Sequence, residues 1–355
     1  MPVLMTISGL AILAIVSFDV LVTTLTVGGG GPITTKLSTW IWHISLKIKP
    51  GNFRHRWLAA LSWLLLSAMV ILWSLLTLVG WSLVFCSFNN AIINTTDKMP
   101  ADTLDRIYFT AYTLTTLGRG DYRPEGVIWN LFTATASANG FFLVTLAIAY
   151  LSPVVSAATQ KRAFAVYIAS LGGTGDEILT RAWNNNDFGQ LDQHLIAIAP
   201  MIAKLGEQHL TYPILHYFHS VERSRCNSLS LVALDEALTL LQYGVDPSCQ
   251  FDLAALGTAR RANAAFNKTL KSASLNPAVD EPPLPSLELL RAKGIPTVSD
   301  SEFKNSTKHL NQRRRFLLAL IRNDGWTWDA VASSKTTNRA SNLDDATLID
   351  EVVLH

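Results

Sequence analysis

Three stretches of the chain are apolar almost without interruption. Residues 3–27 carry one charge, Asp19, and residues 57–88 and 127–152 carry none. A bilayer core about 30 Å thick is crossed by roughly 20 helical residues, so each stretch predicts a transmembrane helix. The second is long enough to tilt or to extend beyond the lipid. Trp57, Trp81 and Trp129 fall near span ends, where amphipathic rings prefer the interface. Between the first two spans, Gly28 to Gly31 and Pro32 end the first helix. Leu37, Trp40, Ile41, Ile44 and Ile48 then recur at helical spacing, with Lys36, His43 and Lys47 on another face. That pattern predicts an amphipathic helix, either lying on an anionic leaflet or packed on the bundle as a connector.

The segment 89–126 is too polar to span, yet its middle is not loop-like. Leu104, Ile107, Tyr108, Ala111 and Leu114 are spaced three and four apart, which predicts a helix over 103–114 with Asp102 or Thr103 as its cap. The following Thr115-Thr116-Leu117-Gly118-Arg119-Gly120-Asp121 alternates glycine and is a poor helix continuation. A short helix between two spans followed by a glycine-rich strand reads as a re-entrant loop. Irregular backbone at membrane depth is tolerated only where it is buried in protein or lines a watery cavity, so such a loop implies a pore.

Composition supports a membrane half joined to a soluble half. Charged residues are 16% of the 355 and mean hydropathy is +0.25, against roughly 25% charged in ordinary soluble domains. Of the 56 Asp, Glu, Lys and Arg residues, 15 lie in 1–152 and 41 in 153–355. This excludes a wholly soluble enzyme, a disordered regulator and a collagen-like fibre. The connection 28–56 carries Lys36, Lys47, Lys49, Arg54 and Arg56 and no acid, which places it in the cytoplasm. The N-terminus and 89–126 are then outside and the chain beyond 153 inside. No Lys or Arg precedes the first apolar run, which is too long for a signal core, so it reads as a retained span. A net charge of +2 gives no basic field for nucleic acid. Cys86, Cys226 and Cys249 are too few and scattered for a disulfide framework or a four-ligand zinc site, and read as inert thiols.

A dehydrated cation must exchange its water shell for several oxygens at once, and a ring of backbone carbonyls from symmetry-related strands supplies them. Alternating glycines let successive carbonyls turn to one side, and the negative end of a nearby pore helix favours a cation. At these residues the chain resembles the potassium-channel pore family, whose filter reads Thr-Val-Gly-Tyr-Gly-Asp. Here it is Thr116-Leu117-Gly118-Arg119-Gly120-Asp121, preceded by Thr113 and Thr115 and followed by Pro124, with Gly140 twenty residues beyond Gly120. The resemblance covers about residues 57–155. It implies a potassium-selective channel, not an enzyme, with permeating K+ as its only ion and no cofactor. Thr116, Leu117, Gly118, Arg119 and Gly120 would bind the ion. Tyr108, Phe109, Thr113, Thr115 and Asp121 would support the filter, and Gly140 would be the hinge of the inner helix, close packing being its other reading. One loop per chain implies a homotetramer in the lipid bilayer. Arg119 stands where the family has an aromatic side chain packed behind the filter. Four guanidinium groups near the mouth would repel cations unless Asp121 and Glu125 neutralise Arg119 and Arg123. A weakly selective cation channel and a non-conducting membrane-anchored sensor or interaction protein are therefore alternatives. An anion pore would need the arginines to face the axis.

The expected architecture is an all-α membrane protein, multi-pass in the cell membrane: three transmembrane helices, a re-entrant pore helix with its filter, and an α-helical cytoplasmic domain. Its parts are 1–56 (first span and amphipathic helix), 57–155 (pore module) and 156–355 (cytoplasmic domain). No span carries an arginine ladder, so no voltage sensor of the four-helix kind is expected. Asp19 is either functional or paired with Lys36 or His43. Thr133, Thr135 and Ser137 either face the pore cavity or bond their own backbone. Cytoplasmic helices are expected at 155–171, 175–184, 189–207, 228–243, 251–273, 285–293 and 301–323, with breaks at Gly172-Gly173, Pro213, Asp246-Pro247 and Pro282-Pro283. No strand precedes a GxGxxG, so a nucleotide-binding regulatory domain is not expected, and Gly172-Gly173-Thr174-Gly175 lacks the lysine of a P-loop. His209, His216 and His219, near Glu222 and Cys226, are the densest ligand cluster, but Pro213 interrupts their register. Arg313-Arg314-Arg315 read as a solvated face, or as contacts to lipid headgroups or a partner's acids, and 333–355 as a loose end. The cytoplasmic half would couple a regulator, unnamed by the sequence, to the inner helix.

Overall fold

The computed structural model describes residues 1–48, 52–249, 251–272 and 276–332. They form two compact units. The first holds Met1–Trp42, Leu61–Ser156 and Thr211–Ile214; the second holds His43–Ala60, Ala157–Leu210 and the chain from Leu215 onward. The protein is an all-α membrane protein, with three helices among the described residues long and apolar enough to cross a bilayer: α1 (Pro2–Leu25), α3 (Asn52–Cys86) and α5 (Val127–Leu171). α5 departs from the expected pair 127–152 and 155–171, because it continues through Pro153. A proline removes one helical hydrogen bond and crowds the carbonyl four residues back. The helix persists because its continuation buries Val154, Ala157, Phe164, Ala165 and Ile168.

In the first unit α1 and α3 approach closely at two glycines. A Cβ at Gly9 would lie 2.6 Å from the Gly80 carbonyl oxygen, and one at Gly80 would lie 2.7 Å from Leu13. Lipid offers no hydrophobic drive between helices, so such small-residue contacts and buried polar pairs hold them. The buried carboxylate of Asp19 supplies the main polar tie. Its Oδ1 accepts from the backbone N–H of Ile33 (2.7 Å) and Thr34 (3.3 Å), and its Oδ2 from the Thr34 hydroxyl (2.7 Å) and Trp73 Nε1 (2.9 Å). Asp19 therefore caps the start of α2 (Pro32–Leu46) and bonds α3, instead of pairing with Lys36 or His43. The anion sits at the positive end of a helix whose own entry, Gly-Gly-Pro, offers no capping side chain. α2 buries Thr34, Ser38 and Trp42 and leaves Trp40 and Ile44 exposed beside Lys36 and Lys47.

The second unit is helical: α6 (Gly175–Ala182), α7 (Leu191–Thr211), α8 (Asn227–Thr239), α9 (Leu253–Ser272), α10 (Glu288–Ala292), α11 (Asp300–Thr307), α12 (Asn311–Asn323) and α13 (Asp329–Ala332). The expected helix 301–323 is two, split by a 3₁₀ turn at Lys308–Leu310. Gly172 to Gly175 form the turn into α6, which Thr174 caps. Every residue of α8 is buried, so its two acids need buried partners. Glu236 takes Arg314 bidentately (3.0 and 3.1 Å), and Asp235 takes Arg313 and Asn263 Nδ2. Arg315 donates to the Ala278 carbonyl. The arginine run is thus an internal brace and not a solvated face. Lys49 and the expected loose end 333–355 lie outside the described residues.

The histidine cluster divides into two. His219 Nδ1 bonds Asp324 Oδ1 (2.9 Å) and its Nε2 meets His55 Nδ1 (2.9 Å), while Cys226 Sγ (3.3 Å) and the Ser228 hydroxyl donate to Asp324 Oδ2. His209 and His216 pack 5.1 Å apart, and Glu222 pairs with Arg225. No three such groups form a metal-ligand set among the described residues. Cys86, Cys226 and Cys249 are free thiols.

Two outcomes follow from these contacts. Asp19→Asn should lower the stability of the detergent-solubilised chain by about 1–3 kcal/mol, because bonds to a charged acceptor become neutral ones, and Asp19→Ala should cost more; thermal unfolding reads both. Burial holds the pKa of His209 well below 6.5 and that of His216 at about 4. The folded chain keeps these rings neutral while the unfolded chain protonates them, so stability is full above about pH 6.5 and falls as pH drops toward 4. Each ring contributes up to about 1.4 kcal/mol per pH unit. Unfolding midpoints recorded from pH 7.5 to 5 should slope less in His216→Gln.

Candidate functional site

The site grows from the end of a short helix. α4 (Thr103–Leu114) begins where Asp102 accepts from the Asp105 amide (2.7 Å) and Asp105 accepts in return from the Asp102 amide (3.4 Å), a reciprocal capping box. It ends in a Schellman motif, with the Leu117 N–H on the Tyr112 carbonyl and the Thr116 N–H on the Thr113 carbonyl. That motif needs a left-handed residue just past the cap, and here it is Thr116 (φ 58°). A β-branched residue there is strained by about 1–3 kcal/mol. The next left-handed residues are Gly118 (φ 57°) and Gly120 (φ 87°), while Leu117 and Arg119 between them are not. Left-handed and ordinary residues thus alternate from 116 to 120, the backbone pattern that turns successive carbonyls to one side.

Around this strand the protein builds a brace. β1 (Ile92–Asn94) pairs antiparallel with β2 (Tyr122–Pro124), from Ile92 opposite Pro124 to Asn94 opposite Tyr122. Sequence reading misses this ribbon because three residues are too few for an alternating signal. The Thr95 hydroxyl donates to the Gly120 and Asp121 carbonyls (3.1 and 3.0 Å). The Tyr112 hydroxyl donates to the Tyr122 carbonyl (2.9 Å), so the pore helix holds the strand that leaves the loop. Neither Thr95 nor Tyr112 is singled out by the filter pattern; the signal for Tyr112 is its place one turn after Tyr108. Phe109 is buried, edge-on to Phe85 and Tyr112 with centroids 5.3 Å away. Thr113 is also buried, and the Thr115 hydroxyl turns back to the Ala111 carbonyl (3.0 Å).

The guanidinium of Arg119 folds onto the pore helix, with Nη1 donating to the Tyr108 hydroxyl (2.9 Å) and Nε 3.1 Å from Asp121 Oδ2. Arg123 lies 3.9 Å from Glu125. Each arginine of the loop therefore has the acid that its position in sequence offered. On α5, Thr133 and Thr135 bond the carbonyls of Trp129 and Leu131 within their own helix. Asn139 accepts from Trp81 Nε1 (3.1 Å), tying α5 to α3. Gly140 stands against the last residue of the pore helix, where a Cβ would run into the Leu114 carbonyl. The helix is continuous there.

The alternating loop, α4 behind it and the two flanking spans form one unit of the fold. Residues 60–157 match the family model described as ion channel. Over 323 residues the chain is 36% identical to the uncharacterized membrane protein YdjJ of Bacillus subtilis (strain 168), covering 91% of this chain and 94% of that protein. No solved structure matches. The chain belongs to the family of membrane proteins that includes YdjJ, and within it residues 60–157 form an ion channel module.

Proposed function

We propose that the chain is a potassium-selective channel of the cell membrane, in which four copies arrange their 116–120 loops around one axis. The observation that carries this reading is the alternation of left-handed residues at Thr116, Gly118 and Gly120. Carbonyls of Thr116, Leu117, Gly118 and Arg119 would replace the water of a permeating K+. The Gly120 carbonyl, already accepting from Thr95, would close the set at the outer mouth. Tyr108, Phe109, Thr113, Thr115 and Asp121 hold the loop's shape. Arg119 does the work of the family's aromatic by bonding Tyr108 and Asp121, which draws its charge off the axis. In this reading the N-terminus is outside and the chain beyond 153 is inside, following the basic residues of 28–56. Gly140 sets the spacing of inner and pore helices, and bending of the inner helix there would serve gating. Loss of aromatic packing behind the loop favours one second reading, a cation channel of weak selectivity.

Purified chain in liposomes should show potassium-driven flux blocked by barium. Sodium flux of equal size would establish the second reading, and no flux from intact tetramers would remove both. Gly118→Ala should abolish flux while tetramers still assemble, because a methyl group disfavours φ > 0. Gly140→Ala should do likewise by displacing the Leu114 carbonyl. Arg119→Tyr should conduct and discriminate potassium from sodium better, as reversal potentials in paired gradients will show.

A further inference from the structure

The second unit holds a cavity of about 330 Å³ lined by Arg260, Arg261 and Arg313 together with Tyr243, apolar residues of α9 and Leu310 of the 3₁₀ turn before α12. We propose that this cavity is a binding site for a small phosphate-bearing anion. The inference goes beyond the channel reading and is tested by binding, which needs no ion flux.

The first argument is charge. Asp235 and Glu236 do not line the cavity, and both are engaged: Glu236 holds Arg314 bidentately, and Asp235 takes Arg313 and Asn263. That leaves Arg260, which Glu236 reaches only through space, and Arg261 facing the cavity without a hydrogen bond to a carboxylate among the described residues. Arg260 reaches only the Thr239 hydroxyl, at 3.4 Å from each terminal nitrogen, and its buried Nε has no acceptor. The buried Nε of Arg313 has none either. Arg261 is exposed and bonds only the Thr258 hydroxyl, at 3.3 Å. A buried cation short of acceptors is costly, and burial draws the pKa of Arg260 and Arg313 down to about 10. An anion in the cavity would supply what these groups lack. Several planar forks lining one cavity match the clustered oxygens of a phosphoryl group better than the flat pair of a carboxylate.

The second argument is shape. Gly257 lies inside α9, where glycine costs about 1 kcal/mol relative to alanine. It keeps the floor open, since a Cβ there would press on the Arg261 guanidinium at 3.3 Å. Leu253, Leu256 and Leu310 give an apolar wall. The ring of Tyr243 carries the Arg260 guanidinium 5.7 Å from its centroid, and its hydroxyl is held by His309 Nε2 at 3.3 Å. The volume sits at the small end of ligand pockets, sized for a phosphate with at most one attached ring system.

The test uses the full chain in detergent, titrated with inorganic phosphate and with 5′-AMP at constant ionic strength set by chloride. Both probes should bind by calorimetry and raise the unfolding midpoint. Arg261→Ala and Gly257→Leu leave the Asp235 and Glu236 pairs intact, and each should abolish or weaken binding by about tenfold or more, the loss expected for one charge-assisted contact. Arg260→Gln should act likewise if it folds. Tighter binding of 5′-AMP, lost in Tyr243→Leu, would identify a ligand with a ring on that wall; equal binding of the two probes would identify the phosphoryl group alone, and either result supports the site. No binding of either probe, or binding unchanged in Arg261→Ala and Gly257→Leu, would overturn it.

Discussion

Hydrocarbon has no water to lend, so each backbone or side-chain polar group at membrane depth must find its partner within the protein. The first unit is organised by that requirement. Its helices satisfy their own amides, and side chains answer the rest, most densely where a helix stops or a side chain carries charge. Asp19 fills its two oxygens with four donors, three of them at the start of α2. The end of α4 closes through a Schellman motif, and the loop beyond it is held from behind by Tyr112, Tyr108 and Thr95. Tyr112, Tyr108 and Thr95 thus hold the loop through its carbonyls and its arginine, and leave its backbone curve intact.

Much of this was legible in the sequence, because lipid imposes coarse rules. Long apolar runs with at most one charge located α1, α3 and the first part of α5, and spacing of Leu104, Ile107, Tyr108, Ala111 and Leu114 located α4 to its ends. Cap chemistry at Asp102 was also legible, since it acts between neighbours. Contacts between distant residues were not. Nothing near Asp19 in sequence points to Trp73, 54 residues away. The left-handed Thr116 was hidden because glycines draw the eye as the residues of positive φ, whereas the demand at 116 comes from the helix end. The continuation of α5 past Pro153 was hidden for a related reason, since packing on its far side outweighs one lost hydrogen bond.

The second unit shows the converse error. A run of three arginines reads as a surface feature by composition, yet two of them are drawn inward by acids on α8, a helix buried along its whole length. Charge pattern alone cannot report burial, because the compensating charges are 78 residues away. The mean apolar character of α8 was the available hint: a helix with no polar face has to be central, and any charge on it has to be answered from elsewhere.

The contact between Gly140 and Leu114 involves no side chain from the inner helix. Side chains absorb small displacements by changing rotamer, but two backbones in contact have no such slack. A shift of α5 toward α4 at this point therefore meets the last carbonyl of α4 first, two residues before the left-handed Thr116. The joint has the form of a hard stop: it opposes approach of the two backbones and leaves their separation unopposed.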